Sequence, residues 1–309
     1  MKKKPEPKEV YTLSDLQDWN GLTRDIDPPI RLGVFGDPVA HSLSPQIQNA
    51  ALRAVKIDGQ YAKFQISPNQ LRQALNRVRI LNFIGINLTV PHKIAVLEFV
   101  DDLDENALRV GAVNTVKIDN GQVRGFNTDG KGFSRAIREE FSVDLRDLRI
   151  MILGAGGAAR AIALQCAKES CERLVIANRT FDKGKKLAHE LRDLFAGPKV
   201  LGPVARLQAI AWEESAFRFQ IANVDLIVNA TPLGLNRSDP SPIPSRLLAP
   251  HLMIYDTVYS QQHTPFVSAA IESGARAANG LSMLLHQGAL AFEIWFGREA
   301  PIDAMRKAL

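Results

Sequence analysis

The chain has 309 residues, 46 % of them hydrophobic and 23 % charged, a globular composition long enough for about two domains. Its 38 Lys and Arg against 33 Asp and Glu give a net charge of +5, and past Lys2-Lys3-Lys4 the basic residues are scattered. That balance argues against nucleic acid and suits an anionic small ligand.

No apolar run reaches the length of a membrane span, and the N-terminal lysines lead into polar residues rather than an apolar signal segment, so a cytoplasmic protein is expected. Two cysteines, Cys166 and Cys171, support neither a disulfide framework nor a metal site.

Residues 1–30 carry early Lys and Pro and end in Asp25-Ile26-Asp27-Pro28-Pro29. They read as tail and linker around one short helix holding Leu13, Leu16 and Trp19. From Arg31, short apolar runs alternate with amphipathic stretches. Leu32–Phe35, Tyr61–Ile66, Phe83–Val90, Val113–Ile118 and Val123–Phe126 read as strands, and Ser44–Val55 and Gln70–Val78 as helices. A second series follows at Arg149–Leu153, Leu174–Ala177, Leu226–Val228 and Met253–Tyr255. The apolar stretch Leu281–Trp295 predicts a well-buried helix. The pattern is that of a two-domain α/β protein, divided at 31–129, 130–278 and a closing helical segment 279–309.

The strand Ile150–Leu153 runs into Gly154-Ala155-Gly156-Gly157-Ala158-Ala159, a Gly-x-Gly-x-x-Ala turn before a helical stretch. Gly154 suits the tight turn and Gly156 the close approach of backbone to a pyrophosphate, while Ala159 suits helix packing on the sheet. The helix N-terminus offers N–H groups to phosphate. About twenty residues on, an NAD site would place an acid at the end of the next strand. Asn178-Arg179-Thr180 stands there, with Lys183 nearby, and Arg179 can pair with a 2′-phosphate, so the cofactor expected is NADP.

In the first half, Ser42-Leu43-Ser44-Pro45 follows a strand, with Ser44 suited to an N-cap and Pro45 to the first helical position. After another strand comes Asn87-Leu88-Thr89-Val90-Pro91-His92-Lys93. A lysine in the first turn of a helix stands against the dipole preference, which singles out Lys93.

With Gly111-Ala112-Val113-Asn114-Thr115, Asn127-Thr128-Asp129-Gly130, Asn229-Ala230-Thr231-Pro232 and Gly280-Leu281-Ser282-Met283-Leu284-Leu285-His286-Gln287, these blocks resemble the shikimate dehydrogenase family in order and spacing. His92 stands where Phe or Asn is expected, and the first 30 residues lie outside the resemblance.

The resemblance implies an N-terminal α/β substrate domain, a Rossmann-type NADP domain and a C-terminal helix returning to the first, with the active site in the cleft between domains. It implies Lys93 and Asp129 as the catalytic pair and Ser42, Ser44, Thr89, Asn114, Tyr259 and Gln287 as further substrate ligands. Thr257, Gly280 and Glu105 would lie near the cofactor.

The chemistry fits, because hydride delivered to a ketone leaves charge on oxygen that a positioned cationic donor stabilises and protonates. Asp129 would orient Lys93 and a substrate hydroxyl. A shikimate or 3-dehydroshikimate partner is expected, with no metal, in a monomer or homodimer. A quinate or aminoshikimate paralogue and a non-catalytic NADP sensor are the alternatives. An intact Lys93 and Asp129 weigh against the sensor.

Overall fold

The computed structural model describes residues 7–196, 205–236, 238–259 and 263–309, which form two compact units. Residues 1–128 with 285–309 make the first, and 129–284 the second.

The first unit opens with β1 (Tyr11–Thr12), α1 (Leu13–Gln17) and α2 (Trp19–Leu22). It continues through β2 (Ile30–Gly36), α3 (Ser44–Ala54), β3 (Gln60–Gln65), α4 (Leu71–Ile80) and β4 (Gly85–Leu88). Next come α5 (His92–Ala95), β5 (Asp102–Leu103), α6 (Glu105–Val110), β6 (Thr115–Asp119) and β7 (Gln122–Phe126). The sheet order is β1-β3-β2-β4-β6-β7-β5. Its first four strands are parallel, and β6 runs antiparallel to both β4 and β7. Helix α4 shows why the amphipathic reading works: Leu71, Ala74, Leu75 and Val78 recur at helical spacing and are all buried.

The second unit contains α7 (Asp129–Phe141), β8 (Arg149–Leu153), α8 (Gly157–Lys168), β9 (Arg173–Asn178), α9 (Phe181–Glu190) and β10 (Leu207–Ala211). It goes on through α10 (Glu214–Ile221), β11 (Leu226–Asn229), β12 (Met253–Asp256), α11 (Pro265–Glu272) and β13 (Arg276–Ala278). The order β10-β9-β8-β11-β12-β13 is wholly parallel. A parallel strand covered on both faces must be apolar throughout, as Ile150–Leu153 is. Helix α12 (Leu281–Phe296) begins in the second unit and passes into the first, which α13 (Ile302–Arg306) completes. Within the first unit Trp295 Nε1 donates to Val116 O at 2.9 Å and Gln48 Nε2 to Gly288 O at 2.9 Å.

Within the segment read as tail and linker, residues 11–19 are packed into the first unit; residues 1–6 lie outside the described residues. Tyr11, Leu13, Leu16 and Trp19 are buried in the core cluster of the first unit, and Arg77 donates to Leu16 O at 3.0 and 3.1 Å. Strand β1 pairs in parallel with β3 and so covers an otherwise open sheet edge. Four large apolar side chains within nine residues carry enough burial to hold the segment down despite its polar ends.

Candidate active site

In the first unit the strand directions gather the expected substrate residues at one edge. Ser42 and Ser44 follow β2, and Thr89 and Lys93 follow β4. Asn114 precedes β6, whose Thr115 pairs with Asn87 of β4, and Thr115 also pairs with Phe126 at the end of β7, just before Thr128. Gln287 joins them through a 3.3 Å hydrogen bond from Asn114 Nδ2 to its Oε1.

Local chemistry fixes each position. The Ser42 hydroxyl accepts the Ser44 N–H at 3.3 Å, so α3 starts at Ser44 with Leu43 at the cap and Pro45 second, one residue earlier than expected. Ser44 is therefore not the N-cap but a buried residue of the first turn, its N–H held by the Ser42 hydroxyl two residues before. Thr89 N–H donates to Phe35 O at 3.0 Å, and its methyl lies 2.5 Å from where a Cβ on Gly36 would sit, so only glycine fits there. Lys93 is half-buried, and its carbonyl accepts the Val113 N–H at 2.7 Å, which ties it to the Asn114 segment. Because α5 is a single turn, the dipole argument that singled out Lys93 has little force.

His92, the departure from the family pattern, is fully buried and bonds Ile66 O through Nε2 at 2.7 Å. Burial holds its pKa below the usual imidazole value, so the ring is a neutral core group.

A polar network that the sequence did not reveal holds Asn114. Tyr61 donates its hydroxyl to Asn87 Oδ1 at 2.8 Å, and Asn87 Nδ2 donates to Asn114 O and Thr115 Oγ1 at 3.1 and 3.0 Å. Asn114 Oδ1 accepts from Thr115 Oγ1 at 3.0 Å and from Thr128 N–H at 2.9 Å, and its Nδ2 donates to Thr128 Oγ1 at 2.8 Å. Asp129 opens α7 and is 3 % exposed. It and the half-buried Tyr259 belong to the second unit.

In the second unit the carboxyl edge of the parallel sheet carries the expected cofactor residues. Gly154 has φ +118°, and a Cβ there would meet Ala230 O at 2.9 Å, so the fold itself demands glycine. Gly156 is different: it caps α8 with φ −81°, no side chain caps that helix, and a Cβ would meet nothing within 4 Å. Neither backbone nor packing asks for glycine there. Open space over a helix N-terminus, beside Ala155, Gly157 and Ala158, fits a pyrophosphate brought against the backbone.

At the end of β9, Asn178 Nδ2 donates to Thr180 O at 2.7 Å, and Arg179, Thr180 and Lys183 are exposed with no carboxylate at 178–180. An exposed guanidinium with no carboxylate beside it is chemistry that suits a phosphate group. Thr257 follows β12, and a Cβ on Gly280 would lie 2.2 Å from Thr257 O, so Gly280 is required by backbone packing as well. Glu105, in the first turn of α6 in the first unit, is exposed and sits 3.5 Å from Arg109.

Asp256, missed in the sequence, is fully buried at the end of β12, and burial pushes its pKa up to about 6. Among the described residues no group of three or more His, Cys, Asp or Glu is placed to hold a metal, and no helix is long and apolar enough to cross a membrane.

A parallel sheet with a glycine turn and an arginine at its carboxyl edge, in one chain with a unit that collects hydroxyls, amides and a lysine, is the architecture of dinucleotide-dependent oxidoreductases. Family models for the shikimate dehydrogenase substrate binding domain, shikimate / quinate 5-dehydrogenase and the shikimate 5′-dehydrogenase C-terminal domain match residues 34–116, 135–200 and 280–309. The shikimate dehydrogenase (NADP+) of Methanopyrus kandleri is 41 % identical over 280 residues, covering 90 % of this chain and 94 % of its own. A crystal structure of a shikimate dehydrogenase in complex with NADP+ superposes with a TM-score of 0.80 at 35 % identity, covering 90 % of this chain and 93 % of that one. The Thermus thermophilus shikimate 5-dehydrogenase in complex with NADP(H) and shikimate gives 0.77 at 36 % identity, with 91 % and 100 % covered. The chain belongs to the shikimate dehydrogenase family.

Proposed function

We propose that this chain catalyses the reversible reduction of 3-dehydroshikimate to shikimate with NADP(H). The observation that carries the reading is the convergence of Ser42, Ser44, Thr89, Lys93, Asn114 and Gln287 on one sheet edge, in a chain whose second sheet ends in the glycine turn and Arg179. Such a set suits a small polyol acid: hydroxyl and amide donors for a carboxylate and ring hydroxyls, and one cation for the reacting oxygen. When bound, NADP(H) supplies or takes the hydride.

The chain's own residues do the rest. Ser42 and Ser44 bind the carboxylate. Thr89, Asn114 and Gln287 orient the ring through its hydroxyls, with Tyr259 as a further ligand. Lys93 Nζ stabilises the charge developing on the ketone oxygen and passes it a proton; in the oxidation it takes that proton back. Asp129 is the second member of the proposed catalytic pair and serves as an acceptor for a substrate hydroxyl. Gly154, Ala155, Gly156, Gly157 and Ala158 receive the pyrophosphate, and Asn178, Arg179, Thr180 and Lys183 the 2′-phosphate end. Thr257, Gly280 and Glu105 complete the cofactor set.

The test is product analysis. Purified protein incubated with 3-dehydroshikimate and NADPH is expected to yield shikimate in step with NADPH consumed, as followed by chromatography and mass. No consumption, or a product other than shikimate, would overturn the assignment.

A further inference from the structure

We propose that Asp256 is a positioning residue for the nicotinamide half of the cofactor, because its carboxylate locks together the two chain segments that leave β11 and β12. The inference rests on the reading that the chain binds NADP(H).

Asp256 Oδ1 accepts from Asn229 Nδ2 at 2.8 Å and from Val258 N–H at 3.1 Å, and Oδ2 accepts from Thr264 Oγ1 at 2.6 Å. Asn229 extends the lock: its Oδ1 accepts from Thr231 N–H and Oγ1 at 3.1 and 2.7 Å, and its Nδ2 also donates to Leu233 O at 2.9 Å. One buried carboxylate thus sets the course of 229–233, of 257–258 and of the start of α11.

The sheet order explains why these segments matter. Strand β8, which carries the glycine turn, lies between β9 and β11, so the order reverses there, and a dinucleotide lies across such a reversal at the carboxyl edge. Arg179 marks the β9 side as the adenosine half, which leaves the β11 and β12 side to the nicotinamide half. Both locked segments also press on glycines. Ala230 O stands 2.9 Å from the Cβ position of Gly154, and Thr257 O stands 2.2 Å from that of Gly280. A shift in either segment therefore moves the wall of the cofactor site.

A stability role alone does not account for the residue. All three donors are neutral, among the described residues no cation pairs with the carboxylate, and a buried charge of that kind is costly where an amide or apolar side chain could stand.

The experiment measures binding of NADPH, through its fluorescence, and of 2′,5′-ADP, by calorimetry, to the full chain and to D256A, D256N and T264V. The 2′,5′-ADP probe carries only the adenosine half. D256A is expected to weaken NADPH about tenfold or more while 2′,5′-ADP stays within about twofold, since hydrogen bonds to a charged acceptor are lost on one side of the site only. D256N is expected to restore NADPH binding to within about threefold, because the amide oxygen can accept from Asn229 and Val258 and the amide nitrogen can donate to Thr264. T264V, which removes one of the three donors and keeps the side chain's shape, is expected to fall between and serves if D256A does not fold.

The inference is overturned if D256A or T264V binds NADPH like the unchanged chain. Equal weakening of both ligands, or a D256N as weak as D256A, overturns it too. An unchanged chain that binds neither ligand would instead refute the cofactor reading itself.

Discussion

Trp19→Ala tests the account of the N-terminal segment. Trp19 is 5 % exposed and packs on Tyr11, Phe64 and Phe83 at ring-centroid distances of 5.2, 5.6 and 5.5 Å. Phe64 and Phe83 belong to the sheet core of the first unit, so truncation opens a cavity against the central structure rather than at a loose end. Replacing a buried Trp by Ala costs about 3–5 kcal/mol, and the whole net stability of a domain is about 5–15 kcal/mol. At about 2–4 °C per kcal/mol for a chain of this size class, the melting temperature should fall by roughly 6–20 °C.

Circular dichroism melts of the variant, with an exposed-site control such as Glu9→Ala, give the number directly. Turnover at 25 °C should persist in the fraction that stays folded, since Trp19 is not among the residues proposed to touch substrate or cofactor. A melting temperature within about 2 °C of the unchanged chain would show that the segment is a peripheral strap, and the reading of residues 7–30 as part of the core would be wrong.

Lys93→Met keeps the aliphatic stem and removes the donor, so turnover should drop by about 10² to 10⁴ with little change in the Michaelis constant for shikimate; near-normal turnover with weak binding would make Lys93 a binding residue only. Arg179→Ala should raise the Michaelis constant for NADP+ about tenfold and leave that for NAD+ nearly unchanged, whereas equal weakening of both would remove Arg179 from the 2′-phosphate site. The Asp256 carboxyl titrates near pH 6 in the folded chain against a reference of 3.8, so its contribution to stability is full below about pH 4 and is lost as the pH rises through 6. Asp256→Asn removes that loss. Denaturant melts should find it more stable than the unchanged chain at pH 8, by at most about 3 kcal/mol, with the gap closing toward pH 4; a variant less stable at pH 8 than at pH 4, each relative to the unchanged chain, would contradict the sign.

Where a signal is local, the sequence carried it. Ile150–Leu153 followed by the glycine turn announces its own strand, turn and helix, and the alternation of apolar runs with amphipathic stretches announces two α/β layers. What escaped depends on distance along the chain. Strand β10, with the modest pattern of Leu207–Ala211, and the two-residue strand β5 gain their hydrogen bonds from partners placed by the rest of the sheet. In the N-terminal segment the apolar residues Leu13, Leu16 and Trp19 are visible in the sequence, but their partners Phe64, Phe83 and α4 lie far downstream, so nothing local shows that the segment belongs to the core. Tyr61, Asn87 and Asp256 escaped for a different reason. A polar residue in or at the end of a strand looks like a surface position until tertiary contacts bury it, and their partners lie 26 or more residues away in the Tyr61–Asn87 and Asn229–Asp256 pairs. Ser44 shows the finer limit: helix start signals locate an end to within a residue or so, and the helix begins at Ser44 with Leu43 at the cap.

The central claim is the pairing of shikimate with NADP+, and its most direct measurement is kcat/KM, from the absorbance of the reduced nicotinamide, for shikimate and quinate each crossed with NADP+ and NAD+. The account expects shikimate with NADP+ to be the best pair, exceeding the same substrate with NAD+ by about tenfold or more, as a lost charge-assisted contact at Arg179 requires. Quinate turning over as well as shikimate, or NAD+ serving as well as NADP+, would contradict it.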